Sequence, residues 1–599
     1  MKKNFLITTD AVDMWEIHEN NFLLGKWCEF SLFEKEKLPK EINIIKNKYH
    51  WSDYKKKEVD YNYLYKVNEY LINVISENLS KINNIEGNKT YWKIILNNWL
   101  SEYIVTLFDR WENIRIFFEK NKNHKFYSNY ILVNEDKYIS KNHVDFIENV
   151  QKDEWNHLAY LRIFNFLNIE NLTLIKKKID NKHLEVEKST KIENISMWKS
   201  IYRLIDNLIS RFAFRHNQII FESFRFPKKE YLKICLKNKL IPSQYNNLFN
   251  FDTDENDIKK ENKRIELKNL ILSIDHKDNF IKFLLLNIHK DIPKSYLENF
   301  NSIRNKILPL AKNKKTIFSM YSIDVNDNFK IYLAETKKFG SKFIHVQHGG
   351  GLGLKMNQFF DFIEKISDER VIWGDPKYSS NPTIKLSPSL PIIKIKKNKP
   401  GNLCTIVFVE CLKYQRRFNV APSLEHKVDY FNNLVEFVNG LNPEIKSKIK
   451  FRVKKNWGFN SEKKFSEKFG PDHIDKVSND NSFIKTLLKS KLIISTYPET
   501  AFSEAMYSNT PTILIIKSEQ WTLQEEAIEI LNYLKKNQIA FDNFKEAKNH
   551  INKHWNDLDI WWKSKNVQGA RELFLKKNFN VNPNWFRQWS DYIYSNRQL

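Results

Sequence analysis

A histidine inside a glycine-rich loop is the first feature of the sequence that could do chemistry. The apolar run Lys342–Val346 predicts a strand, and it leads directly into Gln347-His348-Gly349-Gly350. A histidine titrates near neutral pH and can therefore take a proton from a substrate hydroxyl. Glycines let the backbone approach a ligand closely and adopt positive φ. A plain strand-to-helix turn is an equally good interpretation, because the loop lacks the spacing of a dinucleotide or P-loop fingerprint.

Hydroxyl and carboxylate side chains gather in a second segment, at the end of another apolar run. Ser495 and Thr496 follow the predicted strand, and Pro498 suits the first position of a helix. Thr500 and Glu504 then lie about one turn apart, so the Glu504 carboxylate could face the same crevice as the hydroxyls. Ser and Thr also serve as ordinary helix caps, and a helix glutamate often only faces solvent. The segment therefore predicts either a polar ligand site or a capped helix.

Basic side chains follow a third predicted strand, at Arg452 and Lys454. Arginine offers a fork of donors that matches phosphate oxygens, whereas lysine acts as a point charge. In a chain with 97 Lys and Arg residues, such side chains are also typical of a solvated surface. At a strand end they stand where a phosphate would bind, and we predict that role for both. We predict no metal site.

The elements that would position these side chains follow an α/β pattern. After residue 212, short apolar runs alternate with longer helical patterns, which is typical of parallel sheets. Ligands in such sheets bind beyond the carboxyl ends of the strands, near helix N-termini that attract phosphate. Before that point, residues 59–120 repeat apolar side chains every three or four positions, which predicts a helical layer. The predicted fold class is α/β, with two Rossmann-like domains facing a cleft and a large helical elaboration of the N-terminal half.

Composition suggests four regions along the chain. Residues 1–385 would form the first α/β domain with helical insertions, and the Pro- and Lys-rich residues 386–400 would be a linker. Residues 401–570 would form the second Rossmann-like domain. A C-terminal helix in residues 571–599, with an aromatic face, would pack back on the first domain.

Composition also narrows the class of protein. The chain has 599 residues, more than one hydrophobic core usually supports. Its net charge of +25 would suit a polyanionic partner, but the lysines are dispersed rather than gathered in a patch. Four scattered cysteines do not make a disulfide framework, which favours a reducing compartment. No apolar stretch approaches the roughly 20 residues that cross a bilayer. We expect a cytoplasmic protein that contacts the inner membrane face only peripherally.

The helix segment that begins with Glu504-Ala505 resembles the donor-site signature of GT-B glycosyltransferases. In those enzymes the glutamate binds the ribose hydroxyls of the nucleotide, and the preceding loop binds its phosphates. Ser495, Thr496 and Thr500 would belong to that loop and bind the donor. Many of these enzymes carry another glutamate eight residues before the first, where this chain has Thr496, so the resemblance does not give Thr496 that residue's contact with the sugar.

A set of short motifs is spread over nearly the whole chain. Its members are Thr8-Thr9, Leu24-Gly25-Lys26-Trp27-Cys28, Tyr91-Trp92 with Trp99-Leu100, Gln347-His348-Gly349-Gly350, Trp373-Gly374 and the segment from Ser495 to Pro511. Their order and spacing resemble the LIC-type transferase family of bacterial surface-carbohydrate biosynthesis. The resemblance implies a GT-B-like fold and a role in polysaccharide assembly. The histidine-glycine loop is also similar to an element of CDP-glycerol polyol-phosphate transferases, in which such a histidine is catalytic.

The residues and the resemblance together predict a metal-independent glycosyltransferase without a cofactor. It would move a sugar from a nucleotide-linked donor to a carbohydrate or lipid-linked acceptor that is a surface-polysaccharide or lipopolysaccharide precursor. His348 would deprotonate the acceptor hydroxyl on the side of the first domain. A CDP-polyol phosphotransferase on the same fold is the first alternative. A basic nucleic-acid-binding protein is the second, and we predict no nucleic-acid partner because no basic-aromatic stacking motif is present.

Overall fold

The strands of the protein form three parallel sheets. A computed structural model describes residues 4–11, 14–15, 20–33, 44–131, 134–177, 197–243, 249, 259–354, 356, 359–375, 381–394, 401–410, 412–419, 426–453, 456–478, 481–517 and 520–598. Within these residues each sheet has five strands. Every pairing between neighbouring strands is parallel. The predicted α/β class is therefore confirmed.

The first sheet lies in the N-terminal part of the chain and has the strand order β3-β2-β1-β4-β5. Its strands are β1 (Asn4–Ile7), β2 (Asn20–Leu23), β3 (Ile44–Lys46), β4 (Phe126–Ile131) and β5 (Leu172–Lys177). The sequence predicted only the opening strand. The low-complexity, charged stretch at residues 169–193 predicts loops or an exposed helix, but its described part contains β5, which pairs with β4 along its whole length. Backbone pairing with β4, rather than a pattern of apolar side chains, stabilises this half-buried strand. Residues 178–193 lie outside the described residues.

The second and third sheets follow the strand-like runs of the sequence. The second has the order β10-β9-β8-β7-β6, with β6 (Ile219–Glu222), β7 (Thr316–Ser319), β8 (Lys342–Val346), β9 (Glu369–Ile372) and β10 (Thr383–Lys385). The third has the order β12-β11-β13-β14-β15, with β11 (Leu403–Phe408), β12 (Ile449–Val453), β13 (Ser490–Ser495), β14 (Thr512–Ile515) and β15 (Ala540–Phe541). The mostly apolar run of β11 predicts a strand in the interior of a parallel sheet, and β11 lies between two other strands.

Helices surround the sheets. They are α1 (Tyr54–Asn83), α2 (Lys89–Lys120), α3 (His143–Asn149), α4 (Asp153–Leu167), α5 (Met197–His216), α6 (Lys228–Lys237), α7 (Lys259–Leu272), α8 (Asn279–Asp291), α9 (Phe300–Ala311), α10 (Ser322–Val325), α11 (Asp327–Lys338), α12 (Phe362–Ile366), α13 (Lys427–Asn439), α14 (Pro443–Lys446), α15 (Ser461–Phe469), α16 (Phe483–Lys489), α17 (Thr500–Tyr507), α18 (Glu525–Lys536), α19 (Phe544–His554), α20 (Leu558–Lys563), α21 (Lys565–Asn578) and α22 (Trp585–Gln598). No helix in these described stretches combines the length and apolarity that a membrane crossing requires.

Helices α1 and α2 form the helical layer that the sequence predicted for residues 59–120. Their first turns are fixed by side-chain caps, since Asp53 accepts two backbone N–H groups of α1 and Asn88 accepts that of Tyr91. Helix α2 is buried along most of its length, and its Asn98 donates to the carbonyl oxygen of Ile323 at 2.9 Å. It therefore links the first sheet to α10, which follows β7 of the second.

The C-terminal helix α22 packs on the second sheet. Trp589 Nε1 donates to the carbonyl oxygen of Ser387 at 2.8 Å, and the Tyr592 hydroxyl donates to Glu369 at 2.5 Å. The Thr316 hydroxyl of β7 donates to the carbonyl oxygen of Asn596 at 3.1 Å. Buried apolar side chains from all three sheets join in one continuous core. The four predicted regions and their boundaries stay a prediction.

Candidate functional site

Gln347 fixes the start of the loop that follows β8. Its backbone amide donates to the carbonyl oxygen of Val371 at 2.9 Å. Its side-chain Nε2 donates to the carbonyl oxygen of Gly349 at 2.8 Å, and its Oε1 accepts the amide of Trp373 at 2.9 Å. Both ends of the Gln347 amide are thus used to hold the loop against β9.

The glycine loop packs directly against the start of α17. The Gly350 amide donates to Thr500 Oγ1 at 3.1 Å, and Ser503 Oγ donates back to the carbonyl oxygen of Gly350 at 3.1 Å. A Cβ on Gly351 would lie 1.6 Å from the carbonyl oxygen of Pro498, so only glycine fits there. The two segments that the sequence singled out are therefore in contact. The carboxyl-edge loops of the second and third sheets face each other, which is the GT-B-like arrangement predicted.

The glycines of this loop were expected to adopt positive φ and to let the backbone approach a ligand closely. The structure shows close contacts of the backbone but no positive φ in the loop. Positive φ occurs at Gly340, Gly458 and Gly470 among the described glycines, and none of these lies in the loop. The loop needs glycine because its backbone approaches other parts of the chain. A Cβ on Gly349 would lie 3.0 Å from Thr500 Oγ1, and one on Gly350 would lie 2.9 Å from the Trp373 ring.

Ser495 and Thr496 are buried in the turn after β13. Ser495 Oγ donates to the carbonyl oxygen of Tyr497 at 2.8 Å, and Thr496 Oγ1 donates to that of Val407 at 3.1 Å. The Tyr430 hydroxyl donates to the carbonyl oxygen of Thr496 at 2.8 Å. Both hydroxyl hydrogens therefore stabilise the turn. Neither side chain caps α17, because its N-cap residue is Glu499, which makes no side-chain cap hydrogen bond.

Thr500 and Glu504 are half-buried on the first turns of α17. Close by, burial and then the negative charges of Glu499 and Glu504 raise the pKa of Tyr497 well above its usual range. The positive charge of Arg452 acts in the opposite direction. The predicted donor-side residues Arg452 and Glu504 thus act on the same buried phenol.

Arg452 is engaged by the protein itself. Its Nη1 donates to Asp475 Oδ2 at 2.9 Å, and its Nη2 donates to the carbonyl oxygen of Asn481 at 2.9 Å. The side chain is 7% exposed. To bind a donor phosphate, this guanidinium would have to share its donors with Asp475. Lys454, the other predicted phosphate ligand, lies outside the described residues.

His348 is partly exposed and lies beside a buried carboxylate. Its Nδ1 is 4.0 Å from Asp324 Oδ2, and its side chain is 40% exposed whereas that of Asp324 is 10% exposed. The Tyr321 ring meets the imidazole edge-on, with the ring centres 5.3 Å apart. The imidazole is therefore open to substrate on one side and faces a carboxylate on the other, which suits a proton acceptor.

Asp324 is a functional candidate that the sequence analysis missed. Burial raises its pKa from 3.8 to about 7, although the charges of Arg417 and Lys330 act against this rise. It lies on α10, which begins just after β7, so it reaches the same carboxyl edge of the sheet as the loop after β8. That position was the available signal, because a carboxylate soon after a strand points toward the ligand edge.

A second missed feature is a pair of arginines after β11 that binds α2. Arg416 Nη1 donates to Glu102 Oε2 at 2.7 Å, and Arg417 Nε donates to Glu102 Oε1 at 2.9 Å. Burial alone would raise the pKa of Glu102, but both arginines and His143 hold it well below its usual range. Arg416 is almost fully buried, whereas Arg417 is 25% exposed. Adjacent arginines after a predicted strand, in a chain rich in lysine, were the signal in the sequence.

Across the described ranges, no three His, Cys, Asp or Glu side chains are grouped as metal ligands. The prediction that no metal or cofactor takes part stays a prediction.

Comparison with known proteins identifies the family. Residues 4–593 match the LIC12162 family transferase. The chain belongs to this family. It is therefore a transferase, and the predicted resemblance is confirmed. No curated protein sequence matches the chain.

Several solved structures are similar at low identity. A TarM variant from S. aureus, in complex with fondaparinux, alpha-GlcNAc-glycerol and UDP, is 12% identical with a TM-score of 0.31, over 47% of this chain and 58% of TarM. The wall teichoic acid polymerase TagF, soaked with CDPG, is 11% identical with a TM-score of 0.35, over 67% of this chain and 97% of TagF. MurG from Acinetobacter baumannii is 10% identical with a TM-score of 0.28, over 50% of this chain and 79% of MurG.

Proposed function

We propose that the chain transfers a sugar from a nucleotide-activated donor to a surface-polysaccharide or lipopolysaccharide precursor, without a metal. The hydrogen bond from Gly350 to Thr500 carries the proposal, because it brings the loop of the candidate base against the helix of the candidate donor site. Membership of a transferase family supports the reaction class. The resemblance of Glu504-Ala505 to a nucleotide-binding signature supports the type of donor.

In this proposal His348 acts as the general base. An acceptor hydroxyl loses its proton to Nε2 of the imidazole, and its oxygen forms a bond to the anomeric carbon of the donor. The bond from that carbon to the phosphate oxygen breaks, and the nucleotide leaves with the electron pair. Asp324 faces Nδ1 and stabilises the imidazolium that forms. General-base catalysis of this kind is worth roughly 10²–10⁴-fold in rate.

The donor would lie along α17. Glu504 would accept hydrogen bonds from the ribose hydroxyls. Thr500 accepts the Gly350 amide and, as a hydroxyl, retains a hydrogen that it can donate to a phosphate oxygen. Ser495 and Thr496 would support this site by holding the turn, since their hydroxyls already bond to backbone oxygens.

A cation must stabilise the departing phosphate if no metal does. Arg452 was the prediction from the sequence, and it would act while it keeps its ion pair with Asp475. Arg417 is a further candidate, because it is partly exposed and its charge acts on Asp324. A carbohydrate or lipid-linked acceptor would enter from the side of His348. The protein would act in the cytoplasm and would contact the inner membrane at most peripherally.

Nucleotide binding tests the proposal. The thermal midpoint of the full chain is measured with UDP, CMP, CDP and GDP conjugates, and one conjugate class should raise it. Glu504→Ala should abolish that shift, whereas Glu525→Ala, an exposed helix glutamate of the third-sheet region, should keep it. If no conjugate shifts the midpoint, or if Glu504→Ala binds like wild type, the donor site is wrong. A shift with CDP-linked alcohols alone would instead identify a polyol-phosphate transferase.

A further inference from the structure

Helix α5 exposes a continuous apolar stripe. Ile205, Leu208, Ile209 and Phe212 are 51%, 64%, 47% and 58% exposed. They follow one another at intervals of three, one and three residues, which places them on one face of a helix. Large apolar side chains scattered singly over a surface need no explanation, but a contiguous patch of them marks an interaction site.

The stripe is not the face that attaches α5 to the protein. The attached face carries Ser210, whose hydroxyl accepts a hydrogen bond from Ser243 at 2.8 Å. It also carries Phe214, which is fully buried with its ring centre 5.2 Å from that of Tyr332. The helix thus has one apolar face in the core and a second one directed to solvent. An ordinary surface helix would be polar on the second face.

Positive charge borders the stripe on one side. Arg211 and Arg215 are exposed on the same helix, and at about 100° per residue they lie along one side of the stripe. The neighbouring helix α6 is joined to α5 through Ser243, whose carbonyl oxygen accepts the Tyr231 hydroxyl. Helix α6 also exposes both basic and apolar side chains, which are Lys228, Lys229, Leu232, Lys233, Leu236 and Lys237.

We infer that α5 docks the protein on an anionic lipid surface, with Ile205, Leu208, Ile209 and Phe212 inserted among the acyl chains and Arg211 and Arg215 beside the headgroups. An amphipathic helix of this composition lies in the membrane plane with its apolar face buried roughly 5–10 Å deep. Each basic residue near the surface adds to the attraction, and the net charge of +25 acts in the same direction. The inference does not depend on the catalytic role of His348.

Vesicle sedimentation of the full-length chain tests this inference. The wild-type chain should sediment with vesicles of phosphatidylcholine and phosphatidylglycerol, and much less with phosphatidylcholine alone or at high salt. The double variant Leu208→Glu with Phe212→Glu should lose at least about tenfold in vesicle affinity. The matched control is Ile560→Glu, which changes an apolar side chain on α20 that is 73% exposed. Equal binding by the double variant and the wild type, or an equal loss in the control, would overturn the inference.

A fluorescent label distinguishes insertion of the stripe into lipid from burial of the stripe by another part of the chain or by a second copy. A polarity-sensitive dye is attached to Ile209→Cys in a Cys411→Ser background, since Cys28, Cys235 and Cys404 are buried. Without vesicles the dye should emit at the wavelength typical of an aqueous environment. When anionic vesicles are added, its emission should shift to shorter wavelength. If the emission is already shifted without vesicles, another part of the chain or a second copy covers the stripe and the inference fails. Nucleotide binding in solution should be the same in all these variants.

Discussion

The backbone amide of Gly350 donates a hydrogen bond to the hydroxyl oxygen of Thr500, at 3.1 Å. Gly350 lies in the loop after β8 and Thr500 begins α17, at the carboxyl edges of two different sheets. Ser503 Oγ donates in return to the carbonyl oxygen of Gly350. This contact fixes the position of the histidine loop relative to α17. Variants that weaken it should therefore change both the stability of the protein and its binding of donor.

Thr500→Val keeps the shape of the side chain but removes the acceptor for the buried Gly350 amide. A buried donor left without a partner costs about 1–3 kcal/mol, so the unfolding midpoint should fall. Thr500→Ser keeps the hydroxyl and is the control. Denaturant titration followed by tryptophan fluorescence measures both variants. Equal unfolding midpoints for Thr500→Val and Thr500→Ser would mean that this hydrogen bond does not hold the glycine loop against α17.

Gly351→Ala places a Cβ where the carbonyl oxygen of Pro498 lies, at 1.6 Å. One of the two backbones must move, so we expect a lower thermal midpoint and weaker nucleotide binding. Gly569→Ala in α21 is the control, because nothing lies within 4 Å of its added Cβ. Alanine favours a helix by roughly 0.5–1 kcal/mol over glycine, so this control should be neutral or slightly stabilising. A midpoint for Gly351→Ala at or above that of wild type would contradict the predicted clash.

His348→Ala should lower kcat by roughly 10²–10⁴-fold and leave the affinity for the nucleotide donor unchanged. The reason is that the imidazole is proposed to act on the acceptor proton, not on the donor. His276→Ala changes a histidine on the loop before α8 and should keep the wild-type kcat. Single-turnover kinetics together with calorimetric titration of the donor separate the two quantities. A kcat within a few-fold of wild type, with donor binding intact, would remove His348 from the role of base.

Asp324 should make the stability of the protein depend on pH. Burial raises its pKa from 3.8 to about 7, so the folded chain binds this proton more tightly than the unfolded chain does. The resulting stabilisation is complete below about pH 3.8 and is lost as the pH rises through about 7. At about 1.36 kcal/mol per pKa unit it is at most about 4 kcal/mol.

The test compares unfolding midpoints of Asp324→Asn and the wild type between about pH 5 and 8. The variant stays uncharged, so its stability relative to wild type should rise with pH across this range. Asp429→Asn, at an exposed carboxylate on α13, should show no such trend. A constant difference between Asp324→Asn and the wild type would show that Asp324 keeps an ordinary pKa.

Glu102→Gln should destabilise the protein strongly, because it leaves Arg416 and Arg417 without their buried counter-charge. Loss of one partner from a buried ion pair costs about 3–5 kcal/mol. The pKa of Glu102 is held below its ordinary value of 4.5, so its stabilisation is present above that pH and is lost as the pH falls below it.

The control for Glu102 is Glu119→Gln on the same helix. Its carboxylate pairs with Arg115 at the surface, and such exposed pairs contribute roughly 0.3–0.5 kcal/mol. Differential scanning calorimetry at neutral pH and near pH 4 should show a large difference between the two variants that shrinks in acid. A similar midpoint for both variants at neutral pH would mean that the arginine pair does not need Glu102.

Local patterns determined most of the second and third sheets. The segments that form β8, β11 and β13 each contain a run of buried apolar residues, and a buried parallel strand needs such residues regardless of its neighbours. The helical period of α1 and α2 was equally plain. The first sheet was missed beyond its opening strand, because β5 is half-buried and depends on its pairing with β4.

The candidate site was likewise predicted only in part from the sequence. The sequence by itself determined that a histidine and a glutamate would follow strands of a parallel α/β fold, because strand and helix preferences act within a few residues. Only the tertiary structure decided that Gly350 meets Thr500, that Asp324 faces His348, and that Arg452 is already paired with Asp475. Gly350 and Thr500 are 150 residues apart, and Arg452 and Asp475 are 23 residues apart. Which of them meet depends on the order of strands in each sheet and on how the sheets pack, and no local pattern of residues encodes either.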